Sequence, residues 1–340
     1  MKKAIIVILI CLIALAGIAA LVVWTMIQSY ESSPQPGSGQ QLAVEIPKGA
    51  GPQAVARVLA EHKVIDDPTT FIRYVRYYKR AAGKLKAGEL AFRDNMTPEE
   101  VLKVLLDGTP ITHKITIPEG LRIDEWAKIF EGAGLAGAAE FEKKARQPDF
   151  VKSLGLPGDS LEGFLFPETY HFRKQTPVET LLKTMVAGYK KAFTPEFRKR
   201  AKELNLTELE IVTLASIIEK ETGAAHERPL ISGVFHNRLR DNWRLDTDPT
   251  VIYAVLLSRG KFNGNLTLED LRIDHPYNTY RHKGLPPGPI CSPGKEAIQA
   301  ALFPKKTKHF FFVSKNDGTH HFCPTLKCHY AAVRRYQGGR

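Results

Sequence analysis

The chain alternates apolar and polar residues at Val44-Glu45-Ile46-Pro47-Lys48-Gly49, and the pattern returns at Ile115-Thr116-Ile117-Pro118-Glu119-Gly120. A period of two predicts a half-buried strand, and the Pro and Gly predict the turn that ends it. A helical pattern of apolar residues follows each copy. We therefore predict that two copies of one small strand-helix unit follow each other along the chain.

The second halves of the two copies also agree. Thr97-Pro98-Glu99-Glu100 and Thr176-Pro177-Val178-Glu179 each predict a helix start, with a Thr cap, Pro in the first turn and an acid near the positive end. Beyond about Tyr189 the chain shows long helical patterns, a loop-rich part, a strand at Phe310–Val313 and a short helix from about Ala331. Strands and helices without strict alternation predict an α+β fold.

The N-terminal segment Ala4–Ile27 is uncharged and almost wholly apolar. At about 1.5 Å per residue it reaches roughly 36 Å, which is enough to cross a bilayer core. Lys2 and Lys3 precede it, whereas no cation follows in Gln28–Glu31, so the N-terminus is expected in the cytoplasm. We predict a single-pass transmembrane helix in the inner (plasma) membrane with the body outside the cytoplasm.

A cleaved signal peptide is the alternative, because Ala14-Leu15-Ala16 resembles part of a cleavage site. The apolar run is longer than the usual core of ~7–15 residues, and cutting after Ala16 would leave an apolar end. An uncleaved anchor is therefore the favoured interpretation.

The formal net charge is +12, from 48 basic and 36 acidic residues. Outside the cytoplasm this charge favours anionic lipid headgroups or acidic cell-wall polymers as neighbours, rather than nucleic acid.

The cysteines imply no disulfide framework. Cys11 lies in the predicted span, which leaves Cys291, Cys323 and Cys328 as an odd set. The group His320, His321, Cys323, Cys328 and His329 fits zinc spacing only loosely. A local disulfide between Cys323 and Cys328 is an alternative, and unpaired core cysteines are the default expectation.

Thr207-Glu208-Leu209-Glu210 forms a capping-box pattern and predicts a helix that runs to Gly223. This helix is apolar nearly all round, so we expect it to be buried. Glu219 shares a face with Ser216, whereas Glu221 points roughly 200° away from Glu219. Burial raises the pKa of a carboxyl, as a general acid requires near neutral pH. From the helix alone, ordinary last-turn residues remain the simpler interpretation.

Two further segments are candidates for a site. The segment Leu245–Tyr253 predicts a loop that ends in an Asp248 cap with Pro249 in the first helical position, although two nearby acids could also form a dyad or bind a metal. Tyr277-Asn278-Thr279-Tyr280 offers aromatic faces and an amide that suit a sugar cleft beside Gly284–Pro289. A turn cluster that binds nothing is the alternative.

Several motifs together resemble the YceG-like endolytic murein transglycosylases, in order, from about Leu42 to the C-terminus. They are Ile117–Gly120, Leu161–Gly163, Phe166–Tyr170, Ala215–Thr222, Asp246–Tyr253, Tyr277–Tyr280 and Gly284–Gly288. The resemblance implies a LysM-like region followed by a catalytic region, and it implies that Glu219 is catalytic. Cys323 and Cys328 depart from the family pattern, whereas His320 and His329 match it.

The resemblance also marks substrate-binding candidates. These are Glu162, Glu168, Ser216, Glu221, Asp248, Tyr277, Asn278, Thr279 and Tyr280.

The implied boundaries are 1–28 for the cytoplasmic tip and anchor, 29–41 for a linker, 42–112 for a LysM-like subdomain and 113–340 for the catalytic region. Within the last, 113–188 resembles a second strand-helix unit and 189–340 is a mixed α/β catalytic core.

Lytic transglycosylases cut the bond between N-acetylmuramic acid (MurNAc) and N-acetylglucosamine (GlcNAc) without water and leave a 1,6-anhydro-MurNAc end. One carboxyl serves as acid and then base, so no cofactor or metal is expected. The implied partners are nascent glycan strands, the membrane and peptidoglycan synthases, in a role that terminates glycan elongation.

Two other functions remain open. A muramidase-type hydrolase would pair Glu219 with a second carboxylate, for which Asp248, Glu162 and Glu168 are candidates. A non-catalytic scaffold would bind peptidoglycan through the LysM-like region alone.

Overall fold

The computed structural model describes residues 2–338 and has the predicted mixed α+β fold. It contains two compact units. Unit 1 comprises the residues up to His113 together with Arg173–Gln175. Unit 2 comprises Lys114–Phe172 and the residues from Thr176 onward.

Unit 1 begins with a long apolar helix, α1 (Lys2–Ser32). Its most apolar 18-residue stretch has a mean hydropathy of 3.3, and the helix is long enough to cross a membrane. The helix continues past Ile27 to Ser32, into the segment that the sequence predicts to be a linker. The reason is that Tyr30 and Ile27 pack against the core of unit 1 and that Glu31 is buried there.

The rest of unit 1 is a two-stranded sheet with helices. Its elements are β1 (Gln41–Ile46), α2 (Pro52–Glu61), α3 (Pro68–Arg73), a π-helical turn at Tyr74–Tyr78, β2 (Gly88–Arg93) and α4 (Pro98–Asp107). The strands are antiparallel, from Gln41 opposite Arg93 to Ile46 opposite Gly88. Alternate residues such as Val44 and Ile46 enter the core, as the period of two predicts. Thr97 caps α4 through the predicted capping geometry.

The first part of unit 2 has the same order of elements. It contains β3 (His113–Thr116), α5 (Ile123–Gly132), α6 (Ala138–Ala145), α7 (Pro148–Ser153), β4 (Thr169–Phe172) and α8 (Val178–Ala192). β3 pairs with β4, and Trp126, Phe130 and Phe141 fill the core between the helices. Pro177, rather than the predicted Thr176, is the N-cap of α8.

The second part of unit 2 is mostly helical. It contains α9 (Pro195–Glu203), α10 (Glu208–Glu221), α11 (Arg228–Arg240), α12 (Asp248–Arg259), α13 (Lys295–Leu302), β5 (Phe311–Ser314), β6 (His320–Cys323) and α14 (Leu326–Tyr336), with short 3-10 turns at Ala225–Glu227 and Asp270–Arg272. The prediction for α10 is confirmed: Thr207 and Glu210 form the capping box, and Ile211–Ile218 are buried.

Three further details of unit 2 differ from the sequence-based predictions. Thr247, not Asp248, is the N-cap of α12, because Asp248 already has helical geometry. The last strand is the first half of an antiparallel hairpin, β5–β6. α14 starts at Leu326, five residues before the predicted start, because the Thr325 hydroxyl accepts a hydrogen bond from the Cys328 amide.

Cys323 and Cys328 form a disulfide between the end of β6 and the first turn of α14. This corrects the default expectation of unpaired core cysteines. The His321, Cys323 and Cys328 side chains lie close enough to resemble a metal cluster, but the bonded sulfurs are not thiolates and do not suit a zinc site. Cys291 is a buried free thiol, and Cys11 lies on α1.

Candidate active site

The C-terminal turn of α10 carries two glutamates that face different surroundings. Glu219 and Glu221 are two residues apart, so their side chains leave the helix roughly 200° from each other.

Glu219 lies in an ion-pair network. Its Oε1 accepts a hydrogen bond from Arg228 Nη2 at 2.8 Å, and its Oε2 accepts one from the Gly294 amide at 2.9 Å. The side chain is only 7 % exposed. Both carboxylate oxygens therefore have protein partners.

Arg228 joins three carboxylates. Besides Glu219, it donates to Glu296 at 2.6 Å and lies 3.7 Å from Glu119. The pKa of Glu119 is raised, first by burial and then by the negative charge of Glu219, while Arg228 opposes the rise. A cation shared among three acids fixes the start of α11 to the end of α10.

The segment next to Glu219 is held by backbone contacts. The Ser216 hydroxyl accepts a hydrogen bond from the Ile290 amide at 3.0 Å, and it is fully buried. At Gly294 any side chain would collide with the Glu119 carboxyl, since a Cβ there would lie 1.8 Å from Oε1. A larger residue here would therefore displace the Glu119 carboxyl from its place beside Arg228.

Glu221 faces a cavity of about 490 Å³ on the opposite side of α10. The pKa of Glu221 is raised to about 7, first by burial and then by the nearby Asp248 carboxylate, while Thr247 and Arg238 oppose the rise. A carboxyl with this pKa is partly protonated near neutral pH. It has the property that a general acid requires.

The same cavity contains further polar groups. Tyr280 donates its hydroxyl proton to Asp248 Oδ1 at 2.7 Å, and both residues line the cavity. Asp246 lines it as well, and burial raises the pKa of that carboxyl. Arg238 is 7 % exposed and donates to the Leu245 carbonyl at 2.6 Å, so its charge is fixed beside the carboxyls.

The wall of the cavity opposite α10 comes from the C-terminal hairpin and α14. It includes His320, Leu326, His329, Tyr330 and Val333. His320 is oriented by the buried Glu227, whose Oε2 lies 2.7 Å from Nδ1 and whose Oε1 accepts the His320 amide at 3.0 Å. Aromatic and imidazole rings beside carboxyls form a surface that suits a polar ring such as a sugar.

The nine sequence-predicted substrate residues divide into three groups. Glu221, Asp248 and Tyr280 line the cavity. Ser216, Asn278 and Thr279 are at most 1 % exposed and hold loops together: Asn278 donates to the carbonyls of Leu271 and Ile273, and Thr279 accepts the Thr247 amide.

The other three predicted residues do not line this cavity. Glu162 is 2 % exposed and accepts the Ile123 amide and the Tyr253 hydroxyl at 3.2 and 3.1 Å, so it closes the N-terminus of α5. Burial raises its pKa to about 7. Glu168 is exposed beside β4. Tyr277 packs against Tyr253 with ring centroids 4.9 Å apart and the ring planes tilted by 54°.

Two buried arginines, Arg228 and Arg238, belong to the site but did not stand out in the sequence. Both lie on α11, ten positions apart, among other basic residues. Only their partners distinguish them from solvated cations, and those partners come from distant parts of the chain.

Comparisons with known proteins give a consistent result. The YceG-like family matches residues 44–335. A protein named endolytic murein transglycosylase from Bacillus subtilis (strain 168) is 32 % identical over 317 residues, which cover 86 % of this chain and 84 % of that protein.

A protein of the same name from Streptococcus pneumoniae serotype 2 is 31 % identical over 308 residues. The match covers 82 % of this chain but only 55 % of that longer relative. The crystal structure of a yceG-like protein from Listeria monocytogenes superposes with a TM-score of 0.59 at 32 % identity, covering 87 % of this chain and all of that one.

Proposed function

This chain belongs to the YceG-like family, and from that premise we propose that it is a membrane-anchored endolytic murein transglycosylase. It cleaves the bond between MurNAc and GlcNAc in peptidoglycan strands and leaves a 1,6-anhydro-MurNAc end. The name shared by the Bacillus and Streptococcus relatives supports the reaction class. The cavity beside α10 supports a site for it.

The reaction needs one carboxyl with two successive roles. As an acid, it protonates the glycosidic oxygen of the departing sugar. As a base, it then takes the proton from the C6 hydroxyl of the muramyl sugar, whose oxygen bonds to C1. The proton that was donated is thereby recovered, and no water enters.

We assign this role to Glu221 rather than to Glu219. The observation that carries the assignment is the position of Glu221 in the cavity with its pKa raised to about 7 by burial. Both oxygens of Glu219, in contrast, are bound by Arg228 and Gly294, and Glu219 does not line the cavity. Glu219 is then a positioning residue that fixes the end of α10.

The other groups in the cavity would hold the sugar. Tyr280 and Asp248, which accepts a hydrogen bond from the Tyr280 hydroxyl, line the cavity together with Glu221. Arg238 supplies a fixed positive charge there. His320, oriented by Glu227, offers its remaining ring nitrogen to a hydroxyl or an acetamido group. None of these roles requires a metal or a cofactor.

α1 and the disulfide support a location outside the cytoplasm. Lys2 and Lys3 at the start of the apolar helix favour a cytoplasmic N-terminus, so the body lies on the periplasmic or extracytoplasmic side of the inner membrane. A disulfide between Cys323 and Cys328 agrees with an oxidising compartment. There the enzyme meets nascent strands and ends their elongation, beside peptidoglycan synthases.

We further propose the division of the chain into anchor (1–28), connecting segment (29–41), LysM-like glycan-binding subdomain (42–112) and catalytic region (113–340). Unit 1 and the first part of unit 2 each have two strands separated by helices and followed by another helix, with α2, α3 and the π-helical turn between β1 and β2 and with α5, α6 and α7 between β3 and β4, and this order supports the repeated strand-helix unit.

A muramidase-type hydrolase is the second candidate, because Asp246 and Asp248 share the cavity with Glu221 and could activate water. A non-catalytic scaffold is the third candidate. Such a protein would not need a carboxyl whose pKa lies near neutral pH.

Product mass separates the three. Purified glycan strands digested with the full-length protein in detergent should give 1,6-anhydro-MurNAc ends. Reducing MurNAc ends, which are 18 Da heavier by the added water, would show hydrolysis, and uncut strands would support the scaffold.

A further inference from the structure

A groove runs beside the outer end of α1, remote in sequence from every candidate catalytic residue. It has a volume of about 390 Å³. One wall belongs to α1 itself and the other to α3 and the π-helical turn. The residues that line it are Val23, Met26, Ile27 and Tyr30 on the first wall and Thr70, Arg73, Tyr74, Tyr77 and Tyr78 on the second.

The depth of this groove in a bilayer follows from the helix rise. With Lys3 at the cytoplasmic boundary, about 30 Å of hydrocarbon takes up roughly 20 residues and ends near Val23. Met26 and Ile27 then lie at the boundary with the headgroups. The groove therefore opens where acyl chains meet their headgroups.

The second wall is held in place on α1 by polar contacts. Glu31, 8 % exposed, pairs with Lys79 Nζ at 2.9 Å and accepts the Tyr74 hydroxyl at 3.2 Å. Gln28 donates to the Tyr78 hydroxyl at 3.2 Å, and the rings of Tyr30 and Tyr74 pack edge to face, 5.7 Å apart. These contacts fix the two walls of the groove relative to each other.

Cations outnumber acids around the groove: Asp66 and Asp67 lie close enough to act on Tyr30, and Glu31 is paired with Lys79. From Pro68 to Gly88 the chain has six cations and no acid; the cations are Arg73, Arg76, Lys79, Arg80, Lys84 and Lys86. Arg73, Arg76 and Arg80 are exposed, and the described residues give them no salt bridge. Cations at the headgroup level attract anionic lipids.

The exposed aromatic side chains beside the groove also suit a membrane interface. Tyr77 is 71 % exposed and Tyr78 36 % exposed, which is unusual for rings that could otherwise pack in a core. Tyrosine is enriched at membrane interfaces, because its ring is apolar and its hydroxyl is polar. The apolar lining, the exposed tyrosines and the exposed arginines therefore all favour a lipid with an anionic headgroup.

We propose that this groove holds one anionic phospholipid, with an acyl chain against Val23, Met26 and Ile27 and its phosphate at Arg73 and Arg76. The proposal rests on the proposed membrane anchoring of α1. The bound lipid fills the space between α1 and the tyrosines and ties unit 1 to the membrane surface.

Native mass spectrometry of the full-length protein tests this. The protein is ejected from nanodiscs that contain equal parts of phosphatidylglycerol and phosphatidylcholine. The wild type should retain one phosphatidylglycerol in preference to phosphatidylcholine. The double variant Arg73→Glu/Arg76→Glu should lose roughly tenfold or more of this retained lipid.

The matched control is Arg57→Glu, a charge reversal at an exposed position on α2 that does not line the groove. It should retain the lipid as the wild type does. Equal loss in Arg57→Glu, equal retention in the double variant, or no preference for phosphatidylglycerol in the wild type would overturn the proposal.

Glycan digestion separates this proposal from the proposed function. The double variant should still cut soluble glycan strands in detergent at the wild-type rate. A wild-type protein that anchors in membranes and cuts glycan but retains no lipid would refute the groove alone. A wild-type protein that does not enter membranes would refute both the anchor and the groove.

Discussion

At the scale of residues, Glu219 and Glu221 differ by their partners and not by their type. Glu219 is bound by Arg228 and the Gly294 amide, whereas Glu221 is buried beside a cavity and next to another carboxylate. Desolvation and a like charge both favour the protonated form of Glu221. The acid needed for protonating a glycosidic oxygen is therefore expected at Glu221.

The pH dependence of cleavage follows from this environment. Because the protonated form of Glu221 starts the reaction, kcat/KM should be constant below about pH 6 and fall about tenfold per unit well above the pKa of about 7. Asp248 raises this pKa, so Asp248→Asn should move the falling limb to lower pH. The measurement is a pH–rate profile on glycan strands for both proteins.

The control for that profile is Asp241→Asn, an exposed acid outside the cavity, which should leave the limb in place. At low pH, Asp248→Asn should keep most of the activity. A falling limb that moves to higher pH would contradict the claim that the Asp248 carboxylate raises the pKa of Glu221. Complete loss of activity at every pH would favour the hydrolase with Asp248 as its second carboxylate.

At the scale of elements, the C-terminal hairpin and α14 form one wall of the cavity. The disulfide between Cys323 and Cys328 joins β6 to α14, directly before Leu326, His329 and Tyr330 on that wall. The closed loop is short. Loop-closure entropy gives about 2 kcal/mol for a loop of this length.

Replacing both cysteines by serine should therefore lower the stability of this part of unit 2 by about 2 kcal/mol and reduce glycan cleavage, because the wall loosens. Thermal unfolding and digestion rates check this. Dithiothreitol should lower the Tm of the wild type but not of the double variant. An unchanged Tm in the variant would show that the crosslink does not stabilise the wall.

Local signals predicted several elements well. The capping boxes at Thr97 and Thr207 depend on residues three positions apart, so the sequence contains the whole interaction, and both are present. The period of two predicted β1 and β3, whereas β2, β4 and β6 had no predicted counterpart. Where the signal was weaker, ends shifted: α14 begins at Leu326, and Thr247 takes the capping position expected for Asp248.

Long-range contacts were not predictable from local pattern. A helical wheel places Glu219 and Glu221 on different faces, but it does not show which face meets the cavity; that follows from Arg228, Gly294 and the C-terminal hairpin. Likewise, the segment Tyr277–Tyr280 suits a sugar cleft by composition, but only Tyr280 lines the cavity, whereas the side chains of Asn278 and Thr279 bind backbone groups in the interior. Catalysis by Glu219 stays a prediction from the family resemblance.

At the scale of the whole molecule, α1 extends from the apolar segment into the core of unit 1 without a break. The continuous helix would hold unit 1 at the membrane surface, where nascent glycan emerges. The net charge of +12 agrees with anionic surroundings at that surface. An enzyme held in this way would meet new strands before mature ones, as termination of elongation requires.

The central claim is that Glu221 transfers the proton that cuts the glycan. The most direct measurement is the initial rate at which full-length wild type, Glu221→Gln and Glu219→Gln release 1,6-anhydro-MurNAc ends from purified strands. We predict a loss of roughly 10²- to 10⁴-fold for Glu221→Gln and at most about tenfold for Glu219→Gln. Full activity in Glu221→Gln together with an inactive Glu219→Gln would contradict the assignment.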